Sequence, residues 1–172
     1  MIEDRLLACI ETIPDFPIPG ILFKDITPIF RDPQLSAELA KTLADTWRAK
    51  KPTVLVGIES RGFILGLSLA MELGIPFVLA RKKGKLPGEV LSFTYDLEYG
   101  TDTLEIKKGA ISEFDKVLIH DDILATGGTA KAVHSLVGLT KANVIGFSFI
   151  GAVEVLNGKA ILPTESHYLL NL

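Results

Sequence analysis

The chain is poor in the residues that build covalent or metal-centred structure. Of 172 residues only one is cysteine, so no intramolecular disulfide and no cysteine-based metal cluster can form. Cys9 stands among Leu6, Leu7 and Ile10 at helical spacing, which suits a small buried apolar residue better than a nucleophile. His120, His134 and His167 are scattered, and neither an HExxH pattern nor an EF-hand loop is present, so all three read as structural. An excess of positive charge is also missing. The net charge of -3 argues against nucleic acid as the main ligand, although one basic run exists at Arg81-Lys82-Lys83-Gly84-Lys85. Long uninterrupted apolar runs are absent: the stretch Phe63 to Ala80 is broken by Glu72, Gly74 and Pro76 into a helix followed by a strand. Early acids and no apolar core mark the N-terminus as no secretory signal. Repeats and low-complexity segments are lacking too. The expectation is a soluble, cytoplasmic, single α/β domain of ordinary composition, 48% hydrophobic and 23% charged.

Ile2 to Thr12 carries apolar residues at helical spacing, and Pro14, Pro17, Pro19 and Gly20 then argue against regular structure until Ile21. Phe16, Ile18, Ile21, Leu22 and Phe23 are too apolar for a solvated tether, so this loop is expected to pack on the body. Asp32-Pro33 is a helix start, an N-cap followed by proline at the first helical position. Leu35, Leu39, Leu43 and Trp47 continue that helix at spacings of four. Thr53 to Ile58 reads as a buried strand, Gly62 to Leu73 as a helix and Pro76 to Ala80 as another strand, an alternation that implies a parallel sheet with helical cover. Arg81 to Gly100 is expected to be a long functional loop, with Ser92 to Leu97 a possible hairpin arm beside the strand Thr101 to Lys107. Further strands are expected at Asn143 to Val153 and within Leu162 to Leu172.

The richest stretch is Lys116 to Thr129, KVLIHDDILATGGT. Val117 to Ile119 form a short buried strand ending in two carboxylates, Asp121 and Asp122. Ala125-Thr126-Gly127-Gly128-Thr129 then lead into a helical pattern. A strand, a glycine-rich turn and a helix start make a phosphate cradle, because glycines let backbone N–H groups close on an anion and the helix N-terminus adds partial positive charge. Two acids beside such a nest would repel a second phosphate, so they need sugar hydroxyls or a metal ion as partner.

A second strand-turn-helix anion site is expected at Gly57-Ile58-Glu59-Ser60-Arg61-Gly62. Its glycine spacing matches the nucleotide-binding P-loop, but Phe63-Ile64 stand where Lys-Ser/Thr must follow, which excludes a Walker-type site. Arg61 supplies a bidentate grip on phosphate oxygens; a bland alternative is an ion pair with Glu59. Two phosphate-type sites with an acid pair between them suggest a substrate phosphorylated at both ends with a diol in the middle. A pyrophosphate would bring Mg²⁺ held mainly by substrate oxygens.

VLIHDDILATGGT resembles the signature of the type I phosphoribosyltransferases, which bind phosphoribosyl pyrophosphate. Phe16 to Pro28 (FPIPGILFKDITP), Glu59 to Phe63 (ESRGF), and Arg81 to Gly88 (RKKGKLPG) with Leu97 to Gly100 (LEYG) are similar to the adenine-specific members of that family, in the same order along nearly the whole chain. The resemblance implies a central mostly parallel sheet flanked by helices, a small N-terminal hood in residues 1–30 that binds the base, and a flexible catalytic loop in residues 81–100. It implies that Asp121 and Asp122 bind the ribose hydroxyls and that Ala125, Thr126, Gly127, Gly128 and Thr129 wrap the 5′-phosphate. Glu59, Ser60 and Arg61 become the pyrophosphate loop, joined by Arg81 and Lys85, which in this family often reach a neighbouring subunit's pyrophosphate and so imply a homodimer. Leu22, Phe23 and Lys24 line the adenine pocket, while Glu98, Arg61 and Lys85 are the catalytic candidates and Tyr99 accompanies Glu98 near the reacting centre. The implied reaction moves ribose phosphate from phosphoribosyl pyrophosphate to N9 of adenine with Mg²⁺ as cofactor, giving AMP and pyrophosphate in purine salvage.

The chain departs from the family pattern at Lys24 and Lys159, where arginine is common, and at His120, where the strand usually carries an aliphatic residue. Two alternatives stand beside this reading. One is a purine-sensing regulator, which would carry a DNA-binding segment for which this chain has no room; the other is the same reaction on hypoxanthine, guanine or xanthine.

Overall fold

The computed structural model describes residues 1–96 and 100–172. α1 (Ile2–Cys9) leads into β1 (Glu11–Pro14), which pairs antiparallel with β2 (Leu22–Asp25) in a separate two-stranded sheet. Two expectations fail here. The first helix ends at Cys9 rather than Thr12, and residues 11–14 form a strand despite Pro14, which sits at the strand's last position where a missing N–H does least harm. Asp15 then takes a left-handed φ of 57°, and its carboxylate accepts the Gly20 N–H at 2.7 Å, closing the proline loop.

A 3₁₀ turn at Thr27–Arg31 precedes α2 (Pro33–Arg48). Asp32 caps α2 as expected, its side chain accepting from the N–H groups of Gln34 (2.9 Å) and Leu35 (3.0 Å). Leu35, Leu39, Leu43 and Trp47 form the buried stripe of this helix. The Trp47 ring fits where a later strand, residues Asn143–Ala152, carries Gly146, whose absent Cβ would stand 2.1 Å from it.

The main sheet holds β3 (Val54–Ile58), β4 (Phe77–Lys82), β5 (Val90–Asp96), β6 (Thr101–Lys107), β7 (Lys116–His120), the short β8 (Ile123–Leu124), β9 (Asn143–Ala152) and β10 (Ser166–Asn171). Their order is β10-β9-β7-β3-β4-β6-β5, with β8 beside β9. The pairs from β10 through β4 are parallel, while β6 runs antiparallel to both β4 and β5. Residues 81–100 are therefore not one loop: residues 81–82 finish β4 and residues 90–96 form β5, because Leu91, Phe93 and Tyr95 alternate toward the core.

α3 (Gly62–Leu73) connects β3 to β4, and α4 (Gly128–Gly138) connects β7 to β9. Leu55, Leu118 and Ile150 pack with α1, α2 and α3 on one sheet face, and Val56, Ile119 and Phe149 pack with α4 on the other. Each fully buried aliphatic side chain contributes about 1.5–3 kcal/mol. The chain leaves β3 toward one side of the sheet and β7 toward the other. The strand order thus reverses between them, and a crevice opens beyond their carboxyl ends.

The hood loop corrects a fourth expectation. Phe16, Ile18, Ile21 and Leu22 remain largely exposed, Leu22 at 64%; only Phe23 turns inward, with the Phe16 ring edge-on to it at 5.0 Å.

Candidate active site

The crevice between β3 and β7 gathers residues from segments far apart in the chain. β7 ends at His120, so Asp121 and Asp122 project from its carboxyl end. Their backbone is tied to β9: the Asp121 N–H donates to the Ser148 carbonyl at 3.2 Å, and the Asp122 carbonyl accepts from Ile150 at 2.9 Å. The Asp121 carboxylate accepts the Asp122 N–H at 2.8 Å. Asp122 is only 4% exposed, and its Oδ2 lies 2.9 Å from Arg61 Nε, a contact of opposite charges rather than an aligned hydrogen bond. Burial and the neighbouring Asp122 charge push Asp121 well above the usual carboxylate range, with Arg61 acting the other way. Such a pair gains from any ligand that brings hydroxyl donors or positive charge.

Gly62 lets α3 begin against this acid pair, since a Cβ there would stand 2.9 Å from Asp121 Oδ1. Ser60 and Arg61 lie in the turn before α3, after a cis Glu59–Ser60 peptide. Arg61 does not pair with Glu59. Its guanidinium reaches Asp122 and stands 4.9 Å over the Phe23 ring.

The Glu59 carboxylate turns instead to the basic run. It accepts from Arg81 Nη2 (3.1 Å), Lys85 Nζ (3.0 Å) and the Lys82 N–H (2.9 Å). Burial alone would raise Glu59, but these donors outweigh it and hold its carboxyl down at about 2. Arg81 also donates to the Lys85 carbonyl at 3.2 Å. Two of the three cations assigned to pyrophosphate, Arg81 and Lys85, are thereby gathered on one carboxylate beside the crevice. Sequence reasoning missed a second organiser, Glu105, which is buried and accepts the Gly84 N–H at 2.9 Å. Nothing in the sequence marked it, because Glu105 alternates with Leu104 and Ile106 and so reads as a residue of the strand's polar face.

Beyond the acid pair, Ala125, Thr126, Gly127, Gly128 and Thr129 curve around a cavity of about 80 Å³. Gly127 has a φ of 83° and α4 starts without a side-chain cap, so its first backbone N–H groups face the turn. An adjoining pocket of about 230 Å³ is lined by Leu22, Phe23 and Lys24 from the hood, by Arg61, and by Ile123, Ala125, Val153 and Leu156. The Lys24 ammonium donates to Thr12 Oγ1 at 3.0 Å across the hairpin. Ile123, Val153 and Leu156 were not foreseen, because an aliphatic wall residue carries no mark that separates it from core. The remaining candidates, Glu98 and Tyr99, lie outside the described residues.

The histidines sit apart from these groups. His120 is fully buried on the sheet face beneath α3, and His134 stacks on Phe147 at 6.1 Å. His167 stands in register with Ser148 on β10. Among the described residues no group of three His, Cys, Asp or Glu side chains could enclose a metal ion, and no helix is long and apolar enough to cross a membrane.

Residues 26–152 match a family model described as a phosphoribosyl transferase domain. The chain is 52% identical over 165 residues to the adenine phosphoribosyltransferase of Phocaeicola vulgatus, covering 96% of this chain and 95% of that one. It is likewise 52% identical over 168 residues to the protein of the same name from Francisella philomiragia, with 96% and 93% covered. Among solved structures it is similar to adenine phosphoribosyltransferase from Rhodothermus marinus, at TM-score 0.94 and 47% identity over 99% of this chain and 98% of that one. A comparable likeness, TM-score 0.91 and 41% identity with 97% of each chain covered, links it to the Saccharomyces cerevisiae enzyme complexed with D-2,5-dideoxy-2,5-imino-altritol 1,6-bisphosphate and adenine.

Proposed function

The chain belongs to the phosphoribosyltransferase family, and we propose that it transfers the 5-phosphoribosyl group of phosphoribosyl pyrophosphate to N9 of adenine, forming AMP and pyrophosphate in purine salvage. The observation that carries this reading is the sharing of Ile123 and Ala125 between the apolar pocket under the hood and the small cavity of the glycine turn. A flat base, a ribose and a phosphate fit in that order along the crevice, with Asp121 and Asp122 at the height of the sugar.

In the reaction N9 of adenine bonds to C1 of the ribose as the bond from C1 to the pyrophosphate oxygen breaks, and N9 gives up its proton. C1 develops oxocarbenium character as the leaving group departs. The protein's work is positioning and charge stabilisation. The base lies against Phe23 with Leu22 and Lys24 at its edge, and the 5′-phosphate takes the backbone N–H groups from Ala125 to Thr129. Arg61, Arg81 and Lys85 meet the charge on pyrophosphate. Glu59 and Ser60 shape that loop, with Glu59 acting through the cations it holds. We assign Glu98 and Tyr99 to the reacting centre on the strength of the family resemblance.

Mg²⁺ is the proposed cofactor. The adjacent carboxylates of Asp121 and Asp122, the first held above its usual range by burial and by its neighbour's charge, would gain from a divalent cation, whose remaining ligands would be substrate oxygens. Bound there, it would offset the charge of the departing pyrophosphate.

A homodimer is the proposed assembly. Ile64, Leu67 and Met71 form an exposed apolar stripe on α3, with Met71 at 73%. Phe63 on the same helix meets the Phe77 ring at 6.2 Å, and Phe77, Leu79, Leu86 and Pro87 continue the apolar surface. Lys85 precedes Leu86, so a partner docked on this face would lie close to the cation cluster. The lone cysteine supports a cytoplasmic location.

Purified protein supplied with Mg²⁺ and phosphoribosyl pyrophosphate is expected to convert adenine to AMP far faster than it converts hypoxanthine, guanine or xanthine. Chromatography of the four reactions decides it, and comparable rates on hypoxanthine would overturn the choice of base.

A further inference from the structure

The segment after β9 holds none of the residues assigned above to the phosphate turn and lies beyond the matched residues 26–152. It consists of two 3₁₀ turns, Glu154–Leu156 and Gly158–Ile161, joined at Asn157 with a left-handed φ of 49°. Before that joint, Val153 and Leu156 wall the base pocket. After it, the main chain presses on the glycine turn.

We propose that Gly158 is a positioning residue for the 5′-phosphate turn, acting through direct backbone contact with residues 125–127. A Cβ on Gly158 would stand 2.1 Å from the Ala125 carbonyl oxygen, 2.9 Å from the Gly127 nitrogen and 2.9 Å from the Thr126 carbonyl carbon. The contact is reciprocal: a Cβ on Gly127 would stand 2.6 Å from the Gly158 carbonyl oxygen and 3.0 Å from Ile161 Cγ1. The atoms facing Gly158 are main chain, so they cannot swing aside as a side-chain tip can. Gly127 takes a φ of 83° and α4 lacks a side-chain cap, so the turn depends on this neighbour for its placement. A cradle of backbone N–H groups works only when held within a fraction of an ångström of the anion. The brace is therefore part of the phosphate site although it never touches the phosphate.

This inference rests on the proposed reaction, and its test separates the two. Gly158→Ala is to be compared with the unaltered protein by steady-state kinetics on each substrate and by calorimetric binding of ribose 5-phosphate, AMP and adenine. Pushing the turn out of place is expected to raise KM for phosphoribosyl pyrophosphate and Kd for the two phosphate-bearing ligands by roughly 10- to 100-fold. KM for adenine, which carries no phosphate, should stay within about twofold. Equal losses for adenine and for the phosphate-bearing ligands would overturn the proposal, as would an unchanged KM for phosphoribosyl pyrophosphate. Should Gly158→Ala fail to fold, Ile161→Ala relaxes the same contact without adding bulk. It is expected to raise the same KM by about threefold or more with adenine unaffected, and no change there overturns the proposal equally. If the unaltered protein binds ribose 5-phosphate yet leaves adenine unconverted, the reaction assignment falls, while the ribose 5-phosphate comparison still judges the brace.

Discussion

Asp122 joins two demands in one side chain: it balances Arg61 and it crowds Asp121. Asp122→Asn removes a charge from a buried pair but also relieves the repulsion that adds to burial in pushing Asp121 up, so the two effects on folding oppose each other. The sugar, by contrast, exchanges a charged two-oxygen acceptor for a neutral amide with one acceptor oxygen and a donor that its hydroxyls cannot donate to. The variant is expected to lose kcat/KM by about 100-fold or more. Its unliganded melting temperature should fall by no more than about 3 °C. A melting temperature that drops in step with activity would assign Asp122 to folding instead. His120 gives the opposite case, a titratable group with no part in the proposed chemistry. Burial pushes its imidazole from 6.5 down to about 4, with the Ser148 main chain acting the other way. The unfolded chain therefore binds this proton more readily than the folded one. Stability is complete above pH 6.5 and is lost as pH falls toward 4. His120→Val should remove that dependence, leaving the variant's loss of stability between pH 7 and pH 5 smaller than the parent's by about 2 kcal/mol. Urea titrations at the two pH values measure it, and parallel losses would show that His120 is not the group responsible.

At the scale of elements, the legible parts were those where one local rule acts alone. The cap and buried stripe of α2 follow from Asp32-Pro33 and from spacings of four. The buried runs of β3 and β7 follow from short apolar segments bounded by chemistry-bearing turns. What escaped reading depended on partners distant in sequence. β1 exists because residues 11–14 find residues 22–25 across the proline loop, a pairing that outweighs what four local residues prefer. β5 was half-hidden by the glycines and charges that flank it until β6 supplied its ladder. The site divides in the same way. Its acids, glycines and arginine announce themselves by residue type and spacing, and the resemblance to a known family adds their roles. The aliphatic walls at Ile123, Val153 and Leu156, and the redirection of Glu59 from Arg61 to Arg81 and Lys85, become visible only when strands are laid side by side.

For the whole molecule, the apolar stripe on α3 is the feature that a solitary chain leaves unexplained. Ile64, Leu67 and Met71 occupy one helical face and all three remain exposed. Leu67→Glu places a charge at the middle of this stripe and is expected to convert dimers to monomers in light scattering coupled to size-exclusion chromatography, with the helix content of each subunit preserved. An unchanged mass would move the interface elsewhere.

The packing of Trp47 against Gly146 has an optical consequence. It is the only tryptophan in the sequence and is 1% exposed. Its neighbour Gly146 lies in the first half of β9, whereas the crevice lies beyond the carboxyl ends of the strands. Its emission should be that of an indole sealed from water, shifted toward the blue, and substrates entering the crevice should leave it unchanged. Unfolding, by moving the same indole into solvent, should shift it to the red. The protein thus carries an intrinsic fluorophore that reports the integrity of its fold and is silent about its ligands.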